Sequence, residues 1–177
     1  PFSVHARAET VNAKILKSLA DAGCLHITYG VESGSERVRK DIMKRMVTNE
    51  RLLKAFQMTR DVGIIVTANY ILGTPGETRE EVLETMALHQ QLQPDDFGYF
   101  VFYPYPGTSL FQVCKEKGYL PDNYWEYPAN HRETILNLPD LTKEEVGELY
   151  DMFTAIREKD YLEKHGHTLT EVGQDTT

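Results

Sequence analysis

The sequence lacks the features of a secreted, membrane-spanning or disulfide-stabilised protein. Only two of its 177 residues are cysteines, Cys24 and Cys114, and they are too few to form a disulfide framework. No apolar run approaches the ~18 residues of a membrane helix. No charged start leads into an apolar stretch, as it would in a signal peptide. We therefore expect a cytoplasmic protein in which both thiols are reduced and buried.

Basic residues are also scarce. Nineteen lysines and arginines face 27 aspartates and glutamates, which gives a formal net charge of −8. Such a chain is poorly suited to nucleic acid or to an anionic membrane, so we expect neither as a partner. With 41% hydrophobic and 26% charged residues, the composition is typical of a globular domain. Because the sequence begins with Pro1, we expect that it was trimmed from a longer polypeptide.

Metal-ligand spacings are rare. Cys24 and His26 share one predicted strand face without a second pair of ligands, and His165 and His167 lie near the C-terminus. We therefore predict that this chain binds no metal and that both cysteines are structural.

What the sequence does contain is an alternation of strand and helix patterns. Strands are predicted at 2–6, 24–31, 64–72 and 97–103, with helices between them. Hydroxyl side chains that can cap these helices are Thr10, Ser35, Thr48 and Thr78. The alternation predicts an α/β fold with a parallel sheet over residues 1–120. Residues 121–164 read as a loop followed by a C-terminal helix capped by Thr142, and residues 165–177 as a disordered tail.

Polar residues and glycines follow two of the predicted strands. Gly30 and Gly34 flank Glu32 and Ser33 before a helix opens, and the next strand ends at Gly73. Ligands of parallel sheets lie at the carboxyl ends of strands, and free N–H groups of a helix start favour an anion. The same residue types also build plain turns, so each segment alone is compatible with a purely structural role.

Four segments in order resemble the radical S-adenosylmethionine (radical SAM) superfamily. They are YGVESGS at 29–35, MKR at 43–45, NYILGTPGET at 69–78 and FYPYPGT at 102–108. The resemblance is greatest to the branch with methylthiotransferases and cobalamin-binding radical enzymes, and it covers about residues 2–121. It implies a partial (βα) TIM-like barrel whose N-terminal strands are missing from this sequence.

The resemblance also implies roles for individual residues. Glu32 and Ser33 match positions that contact the ribose and the methionine moiety of S-adenosylmethionine. Arg45 matches a basic residue that pairs with the methionine carboxylate, which suits the planar guanidinium. Ile71 and Gly73 match the motif that packs on adenine, and the backbone at 102–104 resembles the wall of the last strand.

The sequence departs from the family at the cluster motif. Family members hold a 4Fe-4S cluster with Cys-x-x-x-Cys-x-x-Cys, and this motif is absent here. The resemblance implies that it precedes Pro1, in a missing N-terminal part of the same domain. The complete protein is then expected to bind S-adenosylmethionine beside the cluster and to generate a 5′-deoxyadenosyl radical, while this chain alone is inactive. A cobalamin cofactor of the complete protein stays open, as does the substrate.

Two other functions are compatible with the sequence. The chain can be a non-catalytic split half or nucleotide-binding module that completes a partner chain. It can also belong to an unrelated α/β barrel enzyme that holds a phosphate at the helix start of residues 33–35.

The first predicted strand generates a testable expectation. Phe2, Val4 and Ala6 would form an open apolar edge where further strands of a barrel should continue the sheet. We expect the isolated 177-residue chain to self-associate or to be poorly soluble, as measured by sedimentation velocity. A monodisperse monomer that unfolds cooperatively would contradict this.

Overall fold

The sheet has four parallel strands in the order β1-β2-β3-β4, in a computed structural model that describes residues 1–166. The strands are β1 (Phe2–Ala6), β2 (Cys24–Glu32), β3 (Ile65–Leu72) and β4 (Asp96–Val101). All four were predicted, but β4 ends two residues early. The N–H of Phe102 still donates to the Leu72 carbonyl at 2.8 Å, and Pro104 then offers no further donor.

Five α-helices follow the strands: α1 (Ala13–Asp21), α2 (Asn49–Asp61), α3 (Arg79–Leu92), α4 (Ser109–Glu116) and α5 (Lys143–His165). The predicted caps at Thr48, Thr78 and Thr142 are confirmed, each hydroxyl accepting an N–H of the first turn. Thr108, which was not predicted as a cap, does the same for α4. The prediction for α1 is wrong. Asn12 caps it, accepting from the N–H of Ile15 at 3.0 Å, because the Thr10 hydroxyl donates to the Arg7 carbonyl in the preceding turn.

The helical segment after β2 contains a π-helical turn, which is wider than an α-helical one. Val38–Ile42 forms a π-helical turn, in which the N–H of Met43 donates to the Val38 carbonyl at 3.0 Å. Ser35 caps this turn, since its hydroxyl oxygen accepts from the N–H of Val38 at 3.3 Å. π-turns inside helical segments are rare and are often found at functional sites.

The two faces of the sheet differ in polarity. On one face, buried apolar side chains pack against α1, α2, α3 and α5 to form the main core; they include Ile27, Tyr29, Val66, Tyr70 and Phe97. The other face carries small or polar residues such as Thr28, Gly30, Thr67, Asn69 and Gly98, and His26 bonds Thr67 across it at 2.6 Å. A sheet with helices on one face only leaves its second face free to line a cavity.

The C-terminal helix is part of the main core, to which Leu149 and Phe153 contribute. A second, smaller cluster forms around Cys114 and residues 135–138. Both cysteines are buried and unpaired, as predicted. The division at residue 120 stays a prediction, and the expected tail falls largely outside the described residues. Within residues 1–166, no helix combines the length and apolarity needed to cross a membrane.

One buried polar chain fastens α5 to the sheet. Tyr70 on β3 contacts His89 Nδ1 at 3.1 Å, and His89 Nε2 lies 3.0 Å from Asp160 on α5. Burial lowers the pKa of His89, although the bond to Asp160 partly offsets the effect. The unfolded chain therefore binds a proton at this site more readily than the folded one.

The lowered pKa of His89 predicts a stability loss in mild acid. Its contribution is complete above the ordinary value of 6.5 and falls as the pH drops through the lowered folded value. We expect His89→Gln to flatten the dependence of the unfolding free energy on pH between about 5 and 7, measured by urea denaturation. His5→Gln, on an exposed histidine, is the matched control; an equal flattening in both variants would contradict the assignment.

Candidate functional site

The carboxyl ends of all four strands open on one cavity of about 560 Å³. Its floor is the polar face of the sheet, including Thr28, Gly30 and Asn69. Glu32, Arg45 and Ile71, three of the five residues singled out in the sequence, line its wall. Two of them, Glu32 and Arg45, are polar side chains that meet at the end of β2, whereas Ile71 is apolar; their contact with a ligand stays a prediction.

Glu32 occupies a strained backbone position. Its φ is +71°, in the left-handed region, and the register between β2 and β3 shifts between Gly30 and Glu32. A residue other than glycine costs about 1 kcal/mol or more in this region. The bulge turns the Glu32 side chain back over Gly30, where a Cβ atom would overlap the carboxylate oxygen Oε1. Gly30 is therefore what allows the carboxylate to lie over the end of its own strand.

Arg45 holds this carboxylate in place. Its Nη1 donates to Glu32 Oε1 at 3.1 Å and to the Gly30 carbonyl at 2.7 Å, and its Nη2 lies 3.3 Å from Glu9 Oε2. Burial raises the pKa of Glu32, while Arg45 lowers it and Glu9 raises it further. Among residues 1–166, the Nε of Arg45 is the buried side-chain polar atom that has no hydrogen-bond partner.

An unpaired buried donor costs roughly 1–3 kcal/mol, so it points to a partner outside the chain. The cluster of Glu9, Glu32 and Arg45 carries both signs of charge. Such a site suits a zwitterionic or polyhydroxylated ligand, whose acceptors face Arg45 and whose donors face Glu32.

Ser33 and Gly73 lie behind the cavity wall. The Ser33 hydroxyl is buried and contacts Thr85 Oγ1 at 3.3 Å and Glu77 Oε1 at 3.5 Å. The N–H groups of Gly73 and Thr74 donate to Glu77 Oε2 at 2.8 and 3.1 Å. Burial raises the pKa of Glu77 to about 7, although these N–H donors oppose the shift. Ligand contact by Ser33 and Gly73 thus stays a prediction.

The alternative of a phosphate held at the helix start of residues 33–35 gains no support from the hydrogen bonds there. Ser35, also buried, donates its hydroxyl to Glu81 Oε1 at 2.9 Å. The N–H of Gly34 donates to Thr85 Oγ1 at 2.7 Å, and that of Ser35 to Ser33 Oγ at 3.2 Å. Because these donors are used within the protein, a phosphate held at residues 33–35 is not supported.

Aromatic side chains form the opposite wall of the cavity: Phe100, Tyr103, Tyr105 and His131. His131 has a φ of +56°, and its Nδ1 lies 3.3 Å from the Val101 carbonyl. A carbonyl oxygen only accepts, so Nδ1 carries the proton in the neutral ring. Nε2 then accepts from the Tyr105 hydroxyl at 2.9 Å. The wall presents ring faces and one polar tyrosine–histidine pair to the cavity.

Sequence reasoning missed several residues of this site. Glu9 and His131 lie in loops with no pattern that marks them, and their proximity to the cavity arises only from the fold. Glu77 follows the Pro75-Gly76 turn, where a carboxylate four residues after Gly73 can reach back to its N–H. In the sequence, the two glycines around this turn were the only signal that pointed to Glu77.

Known proteins resemble this chain in sequence and in fold. The family model of the Radical SAM superfamily matches residues 1–89, half of the chain. An uncharacterized methyltransferase of Pyrococcus horikoshii is 27% identical over 172 residues, which are 93% of this chain and 37% of that protein.

Two solved structures share the fold. HemN, the coproporphyrinogen III oxidase of Escherichia coli, matches 88% of this chain and 32% of its own with a TM-score of 0.64 and 17% identity. The other is TsrM, a radical S-adenosylmethionine methyltransferase of Kitasatospora setae with cobalamin and a 4Fe-4S cluster bound. The match covers 65% of this chain and 21% of TsrM, with a TM-score of 0.57 and 22% identity. The partial-barrel fold expected from the sequence is thereby confirmed. The chain spans only 21–37% of the length of these proteins.

Two glycines of the site predict losses of stability of different size when a methyl group is added. In Gly30→Ala the new Cβ meets the movable Glu32 side chain, whereas in Gly34→Ala it meets the backbone of Glu84 and Thr85 on α3. We expect Gly34→Ala to lower the unfolding free energy by about 2–3 kcal/mol and Gly30→Ala by less than about 1 kcal/mol, measured by urea denaturation. Equal losses would show that the space at Gly30 is also a packing requirement.

Proposed function

This chain belongs to the radical SAM superfamily, and on that premise we propose that its cavity binds S-adenosylmethionine. The observation that carries the proposal is the partly buried Arg45–Glu32 pair at the cavity wall, with the buried Arg45 Nε left without a partner in the described part of the chain. S-adenosylmethionine has a carboxylate that suits Arg45 and ribose hydroxyls that suit the Glu32 carboxylate. Ile71 supplies an apolar surface on which the adenine ring can pack.

The residues present fit this cosubstrate but not the cluster. Cys24 and Cys114 are buried in separate apolar clusters, and within residues 1–166 no three His, Cys, Asp or Glu side chains gather as a metal site. We propose that a 4Fe-4S cluster of the complete protein would be held by residues other than residues 1–166. Such a cluster would supply one electron to the sulfonium of the bound cosubstrate, releasing methionine and a 5′-deoxyadenosyl radical that would abstract hydrogen from a substrate.

The role that we infer for this chain is to bind, orient and shield. Arg45 and Glu32 fix the polar end of the cosubstrate, and the apolar walls exclude water from a reactive centre. We further propose a small-molecule cosubstrate with no nucleic acid or membrane partner, and a location in the cytoplasm. Cobalamin in the complete protein is supported only by the fold shared with TsrM.

Binding of S-adenosylmethionine to the complete protein tests the proposal. We expect Glu32→Gln and Arg45→Ala to weaken binding in isothermal titration calorimetry by about tenfold or more, because each removes a charge-assisted hydrogen bond worth about 1.5–3 kcal/mol. Matched controls are Glu80→Gln and Lys14→Ala, which change a glutamate and a basic residue at exposed positions on helices. Wild-type protein that binds no S-adenosylmethionine would overturn the proposal. Binding without turnover in the complete protein would favour a non-catalytic module.

A further inference from the structure

Arg39 is the largest side chain that is fully buried, with 0% of its surface exposed. It lies in the π-helical turn Val38–Ile42, among basic neighbours such as Lys40 that face solvent. The nearest carboxylate oxygen belongs to Glu36 and is 4.0 Å away, on a side chain that is half exposed. Burial lowers the pKa of Arg39, and Glu36 opposes the shift. A guanidinium buried at such cost needs a structural reason.

The three donor nitrogens of Arg39 tie two segments together. Nη1 donates to the carbonyl of Ser33, just after β2. Nε donates to the Val47 carbonyl at 3.1 Å and Nη2 to Asn49 Oδ1 at 2.6 Å, both at the start of α2. Asn49 closes the link, because its Nδ2 donates to the Gly34 carbonyl at 3.2 Å. The guanidinium therefore spans the gap between the end of one strand and the start of the next helix.

Between those two segments lies the loop that carries Arg45. The backbone of Arg39 also contacts this loop, since its carbonyl accepts from the N–H of Arg45 at 2.7 Å. Lys44, directly before Arg45, has a φ of +56° in the left-handed region. No regular helix or strand covers residues 43–48, so few other bonds can fix the direction in which Arg45 leaves the backbone. The π-turn brings the Arg39 side chain inward and its carbonyl toward Arg45.

We propose that Arg39 is a positioning residue for the cosubstrate site: it holds residues 43–49 so that Arg45 reaches Glu32. This inference rests on the proposed function, because it assigns Arg39 a role that acts through Arg45. Lysine is a poor substitute, since one ammonium group cannot reproduce a planar fork with three separate acceptors. The role is distinct from simple packing, because packing alone would not couple Arg39 to the charge on Arg45.

A double-mutant cycle on the complete protein tests this role. The affinity for S-adenosylmethionine is measured calorimetrically in wild type, Arg39→Gln, Arg45→Ala and the double variant, with the unfolding midpoint of each recorded. We expect Arg39→Gln to weaken binding by about tenfold when Arg45 is present and by less than about twofold when it is absent, because contacting residues are energetically coupled. Arg39→Lys is expected to lie between wild type and Arg39→Gln.

Arg60→Gln is the matched control. Its guanidinium also donates to backbone carbonyls, those of Leu92 and Gln93 at 2.8 and 3.3 Å, but at the far end of α2. We expect it to lower stability without changing affinity. If Arg39→Gln does not fold, Arg39→Lys is carried through the same cycle.

The outcomes separate the two proposals. Wild-type binding that is weakened by Arg45→Ala but not by Arg39→Gln overturns the positioning role alone. An equal loss in both Arg45 backgrounds shows that Arg39 only stabilises the fold, and also overturns it. No binding in wild type overturns the proposed function itself.

Discussion

The left-handed turn at Glu32 is the constraint on which the site depends. A strand that simply ended there would send the side chain of Glu32 away from the sheet. Because φ is +71° and the register shifts by one residue, the carboxylate instead folds back over Gly30. The cost of the left-handed position is met locally by the bond to Arg45 and by the bonds of the loop that follows. Strain of this kind persists only where the surroundings over-determine it.

Those surroundings are polar and buried, which is unusual for the packing layer behind a sheet edge. Glu77 accepts hydrogen bonds from the N–H groups of Gly73 and Thr74. Arg39 donates hydrogen bonds to oxygens of residues 33, 47 and 49. Neither group forms a close ion pair. The free-energy cost of removing each of them from water is therefore offset by hydrogen bonds to several neutral groups. A hydrophobic residue at either position would pack as well but would fix no direction. We infer that the network is retained for geometry, which a binding edge requires.

The sequence predicts those features that depend on local chemistry. Threonine caps with a glutamate three residues later mark helix starts, and both capping boxes form. Continuous β-branched runs mark the buried strand β3. The prediction of Thr10 as the cap of α1 was wrong because Asn12 and Thr10 are both good capping residues. Only the hydrogen bond of Thr10 to Arg7 decides between them. The burial of Arg39 could not be predicted from the sequence. In the run Arg37 to Lys40, nothing in the sequence distinguishes the buried basic residue from the exposed ones.

The two walls of the cavity come from different parts of the chain. Glu32, Arg45 and Ile71 lie within residues 1–89, the part that the family model matches. The aromatic wall comes from β4, the proline-rich loop and the segment at His131, all beyond that part. Under the proposed function, the Glu32 and Arg45 side binds the cosubstrate, and the aromatic wall is the surface that a second substrate would meet. Because that wall is built largely from loop residues, it can vary without disturbing the strained turn at Glu32.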